Sequence, residues 1–587
     1  MPIPANQEEL YEFFILSNFD AMNQESPRLS IQDQEVSWME NLVPIGPGNA
    51  RSLYGIGTPI YTASPKTVIY GFTYNIALIS YHAVFFSDGT AVQIKDSDLT
   101  TVIISSVPGT FYTSNPPHCA QWGSNGIIIV SPDSVNGYWV WDGATLYSPG
   151  GTFGPSWFTG MTNLTPTGTT TLGSSSVTAV SSTVGLFLGQ GITGTGIPAN
   201  TTITAIGGGT LTISQNATVS ATETLTVNWY IPSGLAGTAV EIFQNRVWVI
   251  NGTKLSFSAP ANGSNLAAAN GGGSFASSDS FLKIGFTAIK QANGFLYLFG
   301  DSSINVISNV QTSGSPPTTI FNNVNVDPQT GTPWRDSVQT FGRELLFANA
   351  TGIYAMFGGS AQLISEKMNG VFQKLDISLK PSSAVANIFS LKAYFLNLKT
   401  IDIFGTTRNL MIAWVNKKFF IASQETVPSY IFTQEISSNL TAWGTDGNTV
   451  YPMFSSASST LNKKIQTKLW SGKSPFVSKQ GMRLLIQLIN NSSSAMSFTG
   501  TVDSDISSSN FNLSSFGILQ PQNNLLQNLY LLNSLNQPLT ITAGGIQTSI
   551  SDTGVYGKFL GVTLSSISPD FILVFLAIAY QYLTMAG

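Results

Sequence analysis

Few side chains of this 587-residue chain could carry out nucleophilic or acid–base chemistry, and their spacing matches no known catalytic pattern. The chain has two histidines, His82 and His118, and one cysteine, Cys119. A zinc site or a catalytic triad needs a histidine with partners at the right places, and the usual zinc and serine-nucleophile motifs do not occur. His118 and Cys119 are adjacent in a predicted strand, where consecutive side chains point to opposite faces. We therefore predict ordinary histidines and a buried thiol, and no catalytic, metal or cofactor site.

One segment is compatible with glycoside hydrolysis. Residues 131–139 resemble the aspartate-box turn of sialidase-type propellers, with Asp133 in the turn, although the spacing differs and no second copy follows. A carboxylate-binding cluster would have to come from seven arginines: Arg28, Arg51, Arg246, Arg335, Arg343, Arg408 and Arg483. Asp301, Asp336 and Asp446 lie at predicted turns, where aspartate is favoured for its backbone hydrogen bonds. No carboxylate pair for this chemistry is identified.

The composition indicates a folded protein with very few charges. Charged residues make up 9% of the chain, against roughly 25% in an average soluble protein, while 42% are hydrophobic and 11% aromatic. The net charge of −5 does not favour binding to phosphates, which needs clustered Lys and Arg. A single cysteine excludes a disulfide framework. Uncharged surfaces suit a protein that packs against neighbouring subunits.

A short apolar strand recurs along the chain, usually at a tight turn. Its copies lie at residues 75–79, 126–130, 245–250, 294–299, 342–347 and 447–451. Three of the intervals between neighbouring copies are about 50 residues and one is about twice that, which indicates the period of a β-propeller with four strands per blade. Asn-Gly and Asp-Gly pairs, such as Asn293-Gly294, supply the positive φ of two-residue hairpins. We predict an all-β fold, a β-propeller of about seven blades; a set of β-sandwiches is the alternative.

The aromatic residues of the repeat could form a platform for a sugar ring, but a different position is predicted for them. Trp139, Trp141, Trp248 and Tyr297 fall inside predicted strands. Apolar runs that are continuous rather than alternating are typical of strands covered on both faces. These four side chains are therefore predicted to pack in the core.

The repeat is interrupted by a Thr-, Ser- and Gly-rich segment and flanked by ends of different character. Excluding residues 165–227 restores a normal blade interval, which predicts a small Ig-like β-domain inserted in a surface loop. The apolar run 571–580 is too short to span a bilayer as a helix, so it is predicted to be a buried strand. The predicted domains are an N-terminal helix (8–22) and extended docking arm within 1–60, blades at 61–164, the insertion at 165–227, blades at 228–470 and a C-terminal β-domain at 471–587.

Two groups of segments carry a resemblance. One comprises residues 27–33 (PRLSIQD), 38–48 (WMENLVPIGPG) and 51–55 (RSLYG), and the other residues 243–248, 257–260, 352–359 and 364–368. Together they resemble the tail nozzle proteins of short-tailed bacteriophages, also called packaged-DNA stabilisation or tail accessory proteins. The likeness covers roughly residues 25–470, and the inserted segment departs from the simplest pattern of the family.

The resemblance implies a structural virion protein of the short tail, assembled in the host cytoplasm. It implies a homo-oligomer, a ring of six, below the portal and adaptor, in contact with tail fibre or needle proteins. Genomic DNA would pass through its channel without sequence-specific binding, and no membrane span is expected. The N-terminal arm is expected to carry docking contacts through Arg28, Trp38, Glu40, Arg51 and Tyr54. The alternatives are a receptor- or glycan-binding tail protein and a sialidase-like glycosidase.

Overall fold

The computed structural model shows a chain of β-strands joined by tight turns. It describes residues 11–583 apart from 47, 152–156, 159–163, 185, 187, 189, 200, 229–230, 278–284, 427, 437, 458–459, 493–495 and 517–545. Helical structure in these residues is limited to one α-helical turn and three 3-10 turns: Asn369–Phe372, Ala268–Asn270, Arg335–Ser337 and Glu366–Met368. None of the described helices has the length and apolar character needed to span a membrane. The expected all-β class is confirmed.

The chain forms two compact units. The terminal unit comprises Met1–Thr62, Ala350–Tyr354 and Leu363–Gly587, and the middle unit comprises Ala63–Asn349 and Ala355–Gln362. The division between Thr62 and Ala63 lies next to the domain boundary expected at residue 60. The boundaries expected at residues 164, 227 and 470 do not divide these units.

The middle unit contains four-stranded antiparallel sheets whose strands follow chain order, which we call meanders. Meander 1 is Val68–Ile76, Ile79–Phe86, Ala91–Lys95 and Thr101–Ser105. Meander 2 is His118–Trp122, Gly126–Val130, Tyr138–Trp141 and Leu146–Tyr147. Meander 3 is Ala239–Phe243, Arg246–Asn251, Lys254–Phe257 and Gly273–Ala276. Meander 4 is Ala288–Ala292, Phe295–Phe299, Ile304–Ser313 and Thr318–Asp327.

Three further meanders follow. Meander 5 is Gln339–Phe341, Glu344–Asn349, Gly352–Met356 and Gln362–Leu363. Meander 6 is Ser382–Ile388, Leu391–Ile401, Thr407–Val415 and Lys418–Ala422, and Leu375–Asp376 also pairs with its second strand. Meander 7 is Tyr430–Ile436, Asn439–Asp446 and Thr449–Pro452, completed by Tyr61–Thr62. Within the described residues the predicted recurrence is thus confirmed as a recurrence of sheets; their closure into a propeller stays a prediction.

The hairpin turns follow the expected Asn-Gly and Asp-Gly chemistry at some positions and depart from it at others. Asn293 and Gly294 have φ of 51° and 77°, the left-handed pair of a two-residue hairpin. The prediction of a strand at 75–79 is wrong, because Ala77 and Leu78 form the turn with φ of 47° and 70°. Pairing of Val68–Ile76 with Ile79–Phe86 imposes the left-handed backbone there, although neither residue favours it.

The inserted segment forms sheets of its own. Its strands are Thr167–Thr170, Ser176–Val177, Gly191–Thr193, Ile203–Gly207, Thr210–Ile213, Ala221–Thr224 and Thr226–Asn228. They pair with one another in three small antiparallel sheets. Val177, Ile192, Leu211 and Leu225 belong to a core that these strands share. The segment therefore has the internal pairing and core of a small β-domain.

The N-terminal segment differs from the expected helix and arm. Residues 12–16 of the predicted helix form the strand Glu12–Leu16, which pairs antiparallel with Phe571–Tyr582. Four more strands follow before meander 7 is completed: Ala21–Met22, Glu35–Glu40, Leu42–Ile45 and Asn49–Ser52. Exposed Phe13 and Ile15 alternate with buried Phe14 and Leu16, as is typical of a strand with one face buried. Pairing with a distant strand therefore overrides the local helix propensity of these residues. The segment is integral to the terminal unit.

Two sheets form the rest of the terminal unit. The first, the terminal sheet, joins Leu42–Ile45, Asn49–Ser52, Phe571–Tyr582, Lys479–Asn490, Ile546–Gly557 and Glu12–Leu16. The second has eleven strands: meander 6 with Leu375–Asp376, then Ala21–Met22, Glu35–Glu40, Lys463–Thr467, Leu560–Ser566, Met496–Ser504 and Ser508–Phe516. The run 571–580 lies inside a central strand, so that prediction is confirmed. The polar stretch 510–536 falls largely outside the described residues.

The strand Tyr61–Thr62 generates a testable prediction. The N–H of Ile60 donates to the carbonyl of buried Val450 at 2.9 Å. Ile60→Pro removes this donor, so we expect a loss of about 1–3 kcal/mol and faster hydrogen–deuterium exchange at residues 449–456. Ile60→Val keeps the N–H and should change exchange there only slightly. Equal exchange in the two variants would show that the strand does not hold meander 7.

Candidate functional site

Arg28, the first of the five expected docking residues, binds inside the terminal unit. Its Nη1 lies 2.9 Å from Oδ2 of Asp503, and its Nε donates to the carbonyl of Thr467 at 2.6 Å. Nη2 reaches the carbonyl of Val562 at 3.4 Å. One guanidinium therefore connects the N-terminal segment to three strands of the eleven-stranded sheet.

Glu40 is the centre of a buried charged group. Both its oxygens accept from Arg408, at 2.7 Å each, in the bidentate geometry that favours arginine. The Nε1 of Trp38 donates to Glu40 at 2.8 Å, and so does the hydroxyl of Ser423. Arg408 also forms an ion pair with Asp402 at 2.8 Å. The side chains of Glu40 and Asp402 are 5% and 4% exposed, so this one cation pairs with two buried carboxylates. Lys464 also interacts electrostatically with both.

Arg51 and Tyr54 converge on one carboxylate, that of Asp570. Arg51 donates to both oxygens of Asp570, at 3.2 and 2.8 Å, and the Tyr54 hydroxyl donates at 2.9 Å. The guanidinium also lies 3.9 Å from the centre of the Phe389 ring, a cation–π contact. Burial lowers the pKa of Arg51, but the hydrogen bonds and charge of Asp570 outweigh burial and raise it.

These contacts, which we call the interlock, use all five predicted residues within the chain. Their charged partners lie 475, 368 and 519 residues farther along, at Asp503, Arg408 and Asp570. Sequence reasoning missed these partners because nothing in local spacing indicates a pairing at such separation. The residues themselves were found, but the role that the geometry gives them is to hold the N-terminal segment in place. A docking role for them stays a prediction.

His118 and Cys119 lie in the first strand of meander 2, near the charged side chain of Arg335. Burial, together with the charge of Arg335, holds the pKa of His118 well below its usual range, and its Nδ1 accepts from the N–H of Val240 at 3.2 Å. Burial raises the pKa of the Cys119 thiol well above its usual range. At neutral pH both groups are uncharged, and the predicted buried thiol is confirmed. In meander 1, buried His82 lies 3.2 Å from Asp96.

Asp133, the aspartate of the glycosidase-like segment, forms a turn. Its Oδ2 accepts from the backbone N–H groups of Thr113, Ser114 and Asn115 at 2.7, 2.7 and 2.9 Å. Burial would raise the pKa of this carboxyl, but the converging donors outweigh burial and lower it well below its usual range. A carboxylate bound by three consecutive N–H groups holds a loop in place, as aspartate does in many turns.

The arginines and aromatic residues considered for sugar binding have structural contacts. Arg335 pairs with Asp336 at 2.9 Å, Arg483 pairs with Asp552 at 3.4 Å, and Arg246 donates to the carbonyls of Ser258 and Gly271. The four aromatic side chains are 5% exposed or less, so the prediction that they pack in the core is confirmed: Trp139, Trp141, Trp248 and Tyr297. In the described parts of the chain, no group of three or more His, Cys, Asp or Glu residues could hold a metal ion.

Comparison with known proteins finds low similarity throughout. No family model matches the chain, and no curated protein does. Among solved structures, a mutant of AofleA from Arthrobotrys oligospora is 10% identical, with 64% of this chain and 90% of that chain covered, at a TM-score of 0.27. Trypanosoma rangeli sialidase is 8% identical, with 92% and 97% covered, at a TM-score of 0.25. Likenesses this low carry no argument about fold or function.

The buried charged group generates a prediction with a matched control. Arg408→Met removes the cation that contacts both Glu40 and Asp402, so we expect the free energy of unfolding to fall by about 3 kcal/mol. Lys473→Met also removes the cation of a carboxylate in the N-terminal segment, because Lys473 lies 2.6 Å from Glu12. Lys473 is 80% exposed, so water screens its charge and its loss should have little measurable effect on stability. Thermal unfolding followed by circular dichroism measures both, and equal losses would contradict the assignment.

The turn at Asp133 generates a pH-dependent prediction. Asp133→Asn replaces one of the two accepting carboxylate oxygens by an amide NH2 group, which would face N–H donors of the turn. We therefore expect the free energy of unfolding to fall by about 1–2 kcal/mol at pH 7. Because folding lowers the pKa of Asp133, its contribution is complete above the unfolded pKa of about 3.9 and is lost as the pH falls through the folded value. The difference between wild type and variant should therefore shrink in urea unfolding below about pH 4. A difference that is constant with pH would count against the charged turn.

Proposed function

We propose that this chain is a structural subunit of a short bacteriophage tail. It would form the nozzle ring below the portal and adaptor, retain packaged DNA and provide the channel for its ejection. The interlock carries the proposal. Side chains from the segments that bear the resemblance, among them Arg28, Glu40 and Arg51, define how the terminal unit is built. The segments that carry the resemblance therefore contribute residues that hold the fold together rather than residues of a chemical site.

We propose further that the meanders are blades of a β-propeller. In the middle unit the first strands of meanders 1 to 4 contact one another in sequence. The fourth strands are more exposed: Thr101–Ser105, Gly273–Ala276 and Thr318–Asp327 have alternating or continuous exposed positions. An order from an inner first strand to an outer fourth strand is what a blade requires. In the terminal unit, Tyr61–Thr62 completes meander 7 as a fourth strand from the other end of the chain.

The electrostatics also support a conduit. The chain carries −5, and six copies would carry about −30, a field that repels DNA and allows it to slide. Three arginines of the terminal unit, Arg28, Arg51 and Arg408, already pair with carboxylates. Phosphate binding by clustered basic residues is accordingly not expected.

Imaging of the purified full-length chain, alone and with its adaptor ring, tests the proposal. We expect a closed sixfold ring beneath the adaptor in negative stain. A trimeric rod would support the receptor- or glycan-binding alternative, and a monomer that cleaves a fluorogenic sialoside would support the glycosidase. Either result would overturn the nozzle assignment. Arg408→Met should prevent ring formation if the interlock builds the subunit, whereas Lys473→Met should leave the rings intact.

A further inference from the structure

The terminal sheet has one side that packs against the core and one side that does not. Leu484 and Leu488 of the strand Lys479–Asn490 point to the inner side and are fully buried. Phe571, on the same side, packs against Phe498 of the eleven-stranded sheet with ring centres 5.1 Å apart. The alternate residues of each strand point to the opposite side, which we call the outer face.

The outer face is largely apolar at the end where the strand Ile546–Gly557 begins. Residues directly opposite in antiparallel strands point to the same side of the sheet, so the register defines rows across this face. Ile550 and Ile15 are 49% and 43% exposed, and the leucine, isoleucine and phenylalanine side chains that share these rows are partly exposed. From that end, the first rows are Ile489 with Ile572, then Thr548, Gln487 and Phe575, then Ile550, Leu485, Ala577 and Ile15.

An ion pair lies in the row after these. That row consists of Asp552, Arg483, Ala579 and Phe13. The side chains of Arg483 and Asp552 lie 3.4 Å apart, so the two charges pair with each other. The apolar part of the outer face therefore lies between this ion pair and the start of the strand Ile546–Gly557.

Apolar side chains are unusual on the side of a sheet that faces water. An antiparallel sheet with one side in water normally alternates, with polar residues on that side. Ile489, Leu485 and Ile550 occupy such water-facing positions here. Apolar side chains in consecutive rows form a contiguous patch, and such patches mark contact surfaces. The outer face therefore has the character of a surface on which another chain segment packs.

Residues 517–545 join the sheet at the apolar end of the outer face. They fall outside the described residues, between Ser508–Phe516 of the eleven-stranded sheet and Ile546–Gly557 of the terminal sheet. Their sequence contains eight leucines and no charged residue. Segments that remain unfolded are typically highly charged and poor in apolar residues. The composition of residues 517–545 therefore favours packing against an apolar surface.

We infer that residues 517–545 pack against the outer face of the same chain. Connectivity favours this occupant, because residue 545 is covalently joined to the strand that carries Thr548 and Ile550 on that face. A tethered segment meets the face at a high effective concentration, which a separate molecule does not have.

Length and charge favour the same occupant. The outer face is four strands wide at the row of Ile15 and Ile550, which is about 14 Å at the usual strand spacing. The segment would measure about 44 Å even as a continuous helix, so it can cross this width and return to Phe516. Because the segment has no charged residue, it brings no unpaired charge to the apolar rows and leaves Arg483 and Asp552 paired with each other.

This inference does not rest on the nozzle assignment, because it concerns a single chain. Rings in which the outer face is accessible would refute the inference alone. A protected outer face in a chain that forms no rings would refute the nozzle assignment alone.

Cysteine labelling of the full-length chain tests the inference. The native Cys119 is buried, so the thiol introduced by Ile550→Cys reports on the outer face. The thiol introduced by Leu78→Cys provides the reference, at a side chain of the middle unit that is 99% exposed. The rate of reaction with N-ethylmaleimide is measured for each.

We expect the thiol of Ile550→Cys to react about tenfold faster when leucines of the segment are changed to asparagine, since a segment that covers the face in about nine of ten molecules protects it tenfold. The changed residues are Leu525, Leu526, Leu529 and Leu532. The matched control changes four polar residues of the same segment to serine and should leave the rate as it is: Asn523, Asn524, Asn528 and Asn533. The rate for Leu78→Cys should be the same in both backgrounds.

Three results of the labelling would overturn the inference. One is an equal rate for the thiol of Ile550→Cys in the two backgrounds. Another is protection that increases with protein concentration, which a second copy would produce. The third is protection that requires added phosphatidylcholine vesicles, which a lipid surface would produce.

Cross-linking identifies what covers the face. After prolonged labelling of Ile550→Cys with benzophenone maleimide, irradiation should join the label to peptides within residues 517–545, in a product with the mass of one chain. Cross-links confined to other residues, or a product with the mass of two chains, would contradict the proposed packing.

Discussion

The terminal unit depends on pairing between the two ends of the chain. The strand Glu35–Glu40 lies between Lys418–Ala422 and Lys463–Thr467 in the eleven-stranded sheet, and Glu12–Leu16 lies against Phe571–Tyr582. Neither sheet is complete without residues from the first part of the chain. The entropy of closing such long loops grows only slowly with length, so distant pairing costs little more than a pairing of moderate range. What it requires is a means of selecting one register.

The interlock supplies that selection. Taking Glu40, Asp402 and Arg408 out of water costs free energy that their attraction only partly returns, so a well-formed buried pair adds little net stability. A shift of register would leave Glu40 buried without Arg408, however, and an unpaired buried charge costs several kcal/mol. We therefore expect these charges to act mainly by excluding alternatives. Only 9% of the residues of this chain are charged, and several of these few are used in such buried pairs.

Features of the fold could be predicted from the sequence where their signal is local, and could not where they depend on contacts between distant parts of the chain. The four-stranded repeat, the turn at Asn293-Gly294 and the buried run 571–580 could be predicted, because hairpin chemistry and apolar runs are local. The helix at 8–22 and the strand at 75–79 were wrong, since tertiary pairing decided both. Arg28, Glu40 and Arg51 were singled out, yet their partners could not be, because Asp503, Arg408 and Asp570 are set by three-dimensional contacts alone.

Pairing of the strand Glu12–Leu16 decides which of its side chains are buried and which are exposed. Its inward residues, Phe14 and Leu16, are buried, and Phe14 stacks on Tyr580 with ring centres 4.2 Å apart. Its outward residues, Phe13 and Ile15, are 58% and 43% exposed. Because the alternation of a strand is fixed, the register that buries Phe14 also determines where Phe13 and Ile15 are presented. A subunit in which the two ends of the chain paired in another register would therefore bury and expose different side chains of this strand.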